Sequence, residues 1–160
     1  MSMTPVMIAA MVAAGSPAPA RATDTGDRDI RALAARFQHA IEHRDKAAFL
    51  SLFLRPEATN WQEVMSDRAV AKDPTSKGIK AAFDPGNSPT AFIDSIVSRK
   101  GHSQEDFRNI RINRDGDSAA MSFDYSFRMD GVEVNAGMEH WLLVRSNDGW
   151  RIVSVTWSVR

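Results

Sequence analysis

The spacing of hydrophobic positions along this chain changes from a helical to a strand period near residue 100. From Asp27 to His43, the residues Ile30, Leu33, Ala34, Phe37 and Ile41 recur at three- and four-residue intervals and form one apolar stripe of a helix. Asp45 is a natural N-cap, and it predicts a second helix over Lys46–Leu54 with Ala48, Phe49, Leu52 and Phe53 turned inward and Pro56 ending it. Trp61 falls in a short predicted strand, Ala58–Met65. Residues 66–87 are polar and rich in turn residues, and they read as a long loop with room for one helical turn. Ser88-Pro89 then joins an N-cap to a proline at the first helical position, starting a third helix over Thr90–Arg99, with Gly101 just past its end.

After that point the pattern alternates with period two. It predicts strands near 107–113, 118–129, 132–146 and 149–159, with hairpin turns at Asp130-Gly131 and Asn147-Asp148-Gly149. Parity assigns the faces. On the second of these strands Ala119, Met121, Phe123, Tyr125, Phe127 and Met129 share one side, taken as inward. On the third, Val132, Val134, Ala136, Met138, His140, Leu142 and Val144 share a side, which leaves Glu133, Asn135, Glu139, Trp141 and Leu143 outward. A bulge at Gly137 would reverse the assignment beyond it. Val153, Val155, Trp157 and Val159 share a face of the last strand.

Composition narrows the function classes more than it names one. The chain has 160 residues, 43% hydrophobic and 25% charged, as expected for one globular domain with a full core. Twenty basic residues balance twenty acidic ones, so neither a basic excess nor a basic stripe points to nucleic acid. Without cysteine there is no disulfide framework, thiol nucleophile or cysteine-held metal. At the N-terminus, Met7–Ala14 is apolar but too short to anchor in a bilayer, and Ala20-Arg21-Ala22 matches a signal-peptidase site. The expectation is a signal peptide over 1–22 and an exported, periplasmic domain over 23–160, not held in the membrane. No Lys or Arg precedes the apolar run, so a disordered Ala/Pro tail is the alternative.

The first helix, the Arg44-Asp45 junction, the Asp124-Tyr125 strand, the Gly137-Met138-Glu139-His140-Trp141 strand and the closing Asp148-Gly149-Trp150-Arg151-Ile152 together resemble the nuclear-transport-factor-2-like (NTF2-like) superfamily, in particular its small bacterial SnoaL-like and lumazine-binding-like members. The resemblance covers residues 28–159. It implies an α+β fold in which a strongly curved mixed sheet, of the cystatin-like roll type, wraps as a cone around three N-terminal helices and leaves a pocket at its open end. It also implies dimerisation through the outer face of the sheet, for which the expected outward residues are Trp141, Leu143 and Ile152. It does not imply one activity, because this fold carries isomerases, cyclases, dehydratases and plain binding domains.

The candidate chemistry is sparse. His39, Glu42 and His43 match H-x-x-E-H, a zinc-binding spacing, but the helical wheel turns both histidines away from the apolar stripe and supplies no third ligand. No metal site is expected, and no cofactor, since phosphate-loop and dinucleotide-binding signatures are absent. The expected pocket has His140 and Tyr125 as its polar groups and Trp61, Phe92, Phe123 and Trp157 as its walls. Its expected role is to bind a small apolar or aromatic ligand. The alternative is a SnoaL-like or ketosteroid-isomerase-like isomerase, cyclase or dehydratase using His140 with Tyr125, for which the inward faces, as assigned by parity, offer no carboxylate base.

Overall fold

The computed structural model describes residues 21–160, with side chains from Thr25 onward. The expected export segment therefore lies outside the described residues apart from Arg21 and Ala22. Helix α1 spans Arg21–Glu42, and its stripe of Ile30, Leu33, Ala34, Phe37 and Ile41 is fully buried. It ends in a Schellman turn: Asp45 N–H donates to Ala40 O and Arg44 N–H to Ile41 O, with Arg44 in the left-handed region at φ 55°. Asp45 then caps α2, Lys46–Leu50, by accepting from Ala48 N–H at 2.8 Å. This helix is shorter than its apolar pattern suggests. Ile152 N–H donates to Leu52 O and Leu54 N–H to Ile152 O, so residues 52–54 leave the helix to pair with the last strand.

Strand β1 is Asn60–Met65, and the polar stretch after it holds α3, Asp67–Lys72, capped by Ser66. Helix α4, Pro89–Ser98, starts as predicted, with Ser88 Oγ accepting from Ala91 N–H. Four long strands follow: β2 Ser103–Asp115, β3 Ser118–Met129, β4 Val132–Ser146 and β5 Gly149–Val159. The sheet order is β1-β5-β4-β3-β2, antiparallel except for the parallel β1–β5 pair, so the fold is α+β with a mixed sheet. Phe37 and Phe49, 4.8 Å between ring centroids, lie against the inner face, where Phe37 also meets Trp141 at 4.8 Å. Burying each of these phenylalanines contributes roughly 1.5–3 kcal/mol.

Three one-residue bulges bend this sheet and decide which side chains face the helices. In β2 the register shifts between Arg108 and Arg111, with Asn109 at φ 54°. In β4, Arg128 pairs with Glu133 but Phe127 pairs with Asn135, so Val134 is the extra residue. In β5, Leu142 pairs with Ser154 but Leu143 with Ile152, so Val153 is extra. The hairpin itself is the predicted tight one, with Met129 opposite Val132 and Asp130 and Gly131 both at positive φ.

The bulge at Val134 corrects the parity reading of β4. An unbroken hairpin would set Met121 opposite His140; with Val134 extruded, Met121 pairs with Trp141, Phe123 with Glu139 and Tyr125 with Gly137. Glu139, Trp141 and Leu143 are consequently inward and buried, while His140 and Leu142 are exposed on the outer face. The expected dimer residues Trp141, Leu143 and Ile152 are at most 1% exposed and belong to the core, so they form no outer interface. Val153, the extruded residue, leaves the inner face to Trp150, Ile152, Val155 and Trp157.

Candidate functional site: a cavity with a buried carboxyl pair

Between α4 and the inner face of the sheet lies a cavity of about 450 Å3. Its walls are aromatic. Trp61 from β1 stands 5.3 Å from Trp157 of β5 and 5.4 Å from Phe92 of α4, ring centroid to ring centroid, and Phe92 stands 6.0 Å from Phe127 of β3. Phe37, Ala91, Ile96, Met129 and Val134 add to the apolar lining. The expected wall residues Trp61, Phe92 and Trp157 thus line the cavity. Phe123 does not: it is buried behind it, packed 4.1 Å from Phe107 and edge-on to Trp141 at 5.2 Å. His140 does not either, because the Val134 bulge turns it to the opposite side of the sheet.

Tyr125 lines the cavity with its hydroxyl already engaged, 2.9 Å from Asn135 Oδ1 and 3.0 Å from the Ser158 carbonyl oxygen. Burial pushes its pKa upward, and Glu139, Glu105 and Glu63 add to the rise, so the phenol stays neutral at physiological pH. Gly137, its cross-strand partner, makes room for this arrangement. A Cβ there would lie 1.8 Å from the Ser158 carbonyl oxygen, so the end of β5 closes on β4 only over a glycine.

The chemistry lies in two carboxyl groups, one that parity turns outward and one that precedes the predicted strand. Glu105 of β2 and Glu139 of β4 both line the cavity, are 6% and 4% exposed, and engage each other through their side chains. Two buried carboxyl groups in contact hold a proton between them, since neither is solvated well enough to carry its own charge beside the other. Desolvation first, then the charge of Glu139, pushes Glu105 well above the usual carboxylate range. Desolvation also raises Glu139, to about 7, against the opposing hydrogen bond from Trp141 Nε1 to its Oε1 at 2.6 Å. That indole fixes one oxygen of Glu139 and orients the carboxyl plane.

Backbone and neighbouring side chains hold both groups in place. Gln38 Nε2 of α1 donates to the Glu105 carbonyl at 2.8 Å and ties the helix to β2 at this point. A third carboxylate, Glu63 of β1, also lines the cavity and accepts from Trp157 Nε1 at 3.3 Å. Arg99, at the end of α4, supplies the cation. The sequence pattern misses Glu105 because the predicted strand starts at residue 107, four residues after β2 begins at Ser103. The signal was present: Glu105 has the parity of Phe107, and so faces the side Phe107 faces. For Glu139 the available signal is its parity with Trp141, the largest apolar residue of that segment.

His39 and His43 stack at 3.8 Å on the exposed face of α1, as the helical wheel places them. Among the described residues no cluster of three or more metal-ligating side chains occurs, and no helix is long and apolar enough to cross a membrane.

No protein-family model matches the chain, and no curated protein matches it in sequence. Solved structures do match. An NTF2-like protein with a cystatin-like fold from Novosphingobium aromaticivorans aligns with a TM-score of 0.61 at 14% identity, over 86% of this chain and 83% of its own. An NTF2-like superfamily protein from Salmonella enterica serovar Typhimurium aligns with a TM-score of 0.61 at 19% identity, over 86% and 93%. A candidate dehydratase of the NTF2-like family from Streptomyces avermitilis aligns at 0.57 and 18%, over 86% and 98%. At such identities the likeness is one of fold. The chain has the NTF2-like, cystatin-like α+β fold, with its carboxyl pair inside the curved sheet that defines it.

Proposed function

We propose that this protein is an acid–base enzyme that moves a proton on a small apolar or aromatic substrate, in the manner of an isomerase, cyclase or dehydratase. The observation that carries the reading is the pair Glu105–Glu139, two carboxyl groups buried in contact inside a ligand-sized aromatic cavity. Glu139, raised to about 7, is divided between base and acid near neutrality, which is where a general base is most effective. Glu105, held well above the usual carboxylate range by burial and by the charge of Glu139, is the protonated partner that returns a proton. The expected catalytic role of His140 is thereby replaced by Glu139, one residue earlier on the strand.

The roles follow from chemistry available to these atoms. Glu139, with Oε1 held by Trp141, takes a proton from carbon next to a carbonyl, and Glu105 donates to the oxygen or carbon that gains charge. The aromatic walls exclude water, which keeps both groups in their perturbed states, and supply most of the binding energy. Simple ligand binding, the reading with no chemistry, uses the same walls but gives no use for a carboxyl pair buried at that cost. The candidate dehydratase among the structural neighbours is compatible with proton transfer and does not by itself argue for it.

The test is deuterium exchange α to the carbonyl of 1-indanone in D2O, followed by proton NMR. The protein should accelerate exchange, and Glu139→Gln should lower the acceleration by about 100-fold or more while the ketone still binds. A Glu139→Gln protein that exchanges as fast as the parent would overturn the proposal, as would a parent protein no faster than buffer.

A further inference from the structure

We infer that the cavity takes a ligand bearing a carboxylate, held at the rim by Arg99 while its apolar body lies between the aromatic walls; the inference rests on the acid–base reading of the same cavity. Arg99 lines the cavity at the end of α4 and is only partly exposed. Among the described residues its guanidinium has no carboxylate within ion-pair distance: Nη1 rests on Met129 Sδ, and Nε is buried without an acceptor. The carboxyl groups nearby are committed elsewhere, Glu63 to Trp157, Glu139 to Trp141, and Glu105 to Glu139. An Nε–H buried without an acceptor is costly, and a planar two-oxygen anion satisfies a guanidinium best.

The placement is directional. Met129, the residue Arg99 rests on, is the last of β3, whereas Glu139 pairs with Phe123, six residues earlier on that strand. Tyr125, four residues from Met129, is roughly 13 Å along an extended strand. An elongated ligand anchored by its carboxylate at Arg99 thus points its far end toward Glu139. Anchoring in this direction also keeps the ligand's negative charge away from Glu139, the base, where it would be repelled.

The experiment compares 2-naphthoate with its uncharged isostere 2-naphthamide and with the cation 2-naphthylmethylamine, by quenching of Trp61 and Trp157 fluorescence at low salt. Naphthoate should bind at least about tenfold more tightly than the amide, a difference of roughly 1.4 kcal/mol. Arg99→Gln should abolish that preference, and Arg99→Lys should restore part of it. Glu139→Gln should keep the preference while losing proton exchange, which separates failure of this inference from failure of the acid–base reading. Equal binding of naphthoate and amide, tighter binding of the amine, or no binding of any of the three would overturn the inference. The comparison of probes on the parent protein decides the matter even if an Arg99 variant does not fold.

Discussion

Glu105 and Glu139 engage each other through their side chains although β3 runs between their strands. Glu105 pairs with Phe127 and Glu139 with Phe123, on opposite sides of β3, so the two carboxyl groups reach each other only across its concave surface. The bulges at Val134 and in β2 supply the bend, and the Trp141 indole orients Glu139 for the contact. A flat sheet would leave two isolated glutamates. Curvature makes them one titrating unit.

Stability should fall as pH rises. Glu105 and Glu139 are both raised in the folded protein, so between pH 4.5, the ordinary glutamate value, and about 7, the folded state binds more protons than the unfolded one. Their stabilising contribution is complete below the ordinary value and is lost as pH climbs through the raised ones, at a slope of at most about 1.4 kcal/mol per pH unit for one group. The melting temperature should therefore be higher at pH 5 than at pH 8, and Glu139→Gln should flatten the difference. A parent protein that melts higher at pH 8 than at pH 5 would contradict the buried pair.

Proton exchange should show the opposite slope. If Glu139 is the base, its ionised form does the work, and the 1-indanone rate should increase with pH through about 7. In Trp141→Phe the opposing indole hydrogen bond is gone, so the midpoint of that profile should move upward. An unchanged midpoint in this variant would mean that another group takes the proton.

Gly137→Ala should be among the most damaging single-methyl additions in the chain. The new Cβ would fall 1.8 Å from the Ser158 carbonyl oxygen, a backbone atom that cannot move without unpairing the end of β5. A loss of about 2–3 kcal/mol is expected from overpacking of this kind, read as a lowered midpoint in urea denaturation. Near-parental stability would show that the strands open there freely.

His140→Ala should do almost nothing. The imidazole is on the exposed outer face, so the change should stay within about 0.5 kcal/mol in stability and leave 2-naphthoate binding unaltered. Weakened binding with intact folding would place His140 in the cavity after all and refute the Val134 bulge.

Local signals in the sequence were sufficient for the elements and their order. The stripe of α1, the Asp45 and Ser88 caps and the Asp130-Gly131 turn each involve residues within a few positions of one another, so their physics is written in short stretches of chain. They determined the helices and strands, and through them the curved sheet that the NTF2-like resemblance anticipated. What only the tertiary structure decided was the face of β4. Hydrophobic alternation there is nearly balanced, with Val132, Val134 and Leu142 on one parity and Trp141 and Leu143 on the other, and parity is reversed by a single extruded residue. The bulge at Val134 lets Trp141 enter the core against Phe37 and Phe123 while Val132 and Val134, near the hairpin, stay exposed. That choice belongs to packing between residues some hundred positions apart, and it carried Glu139 into the cavity and His140 out of it.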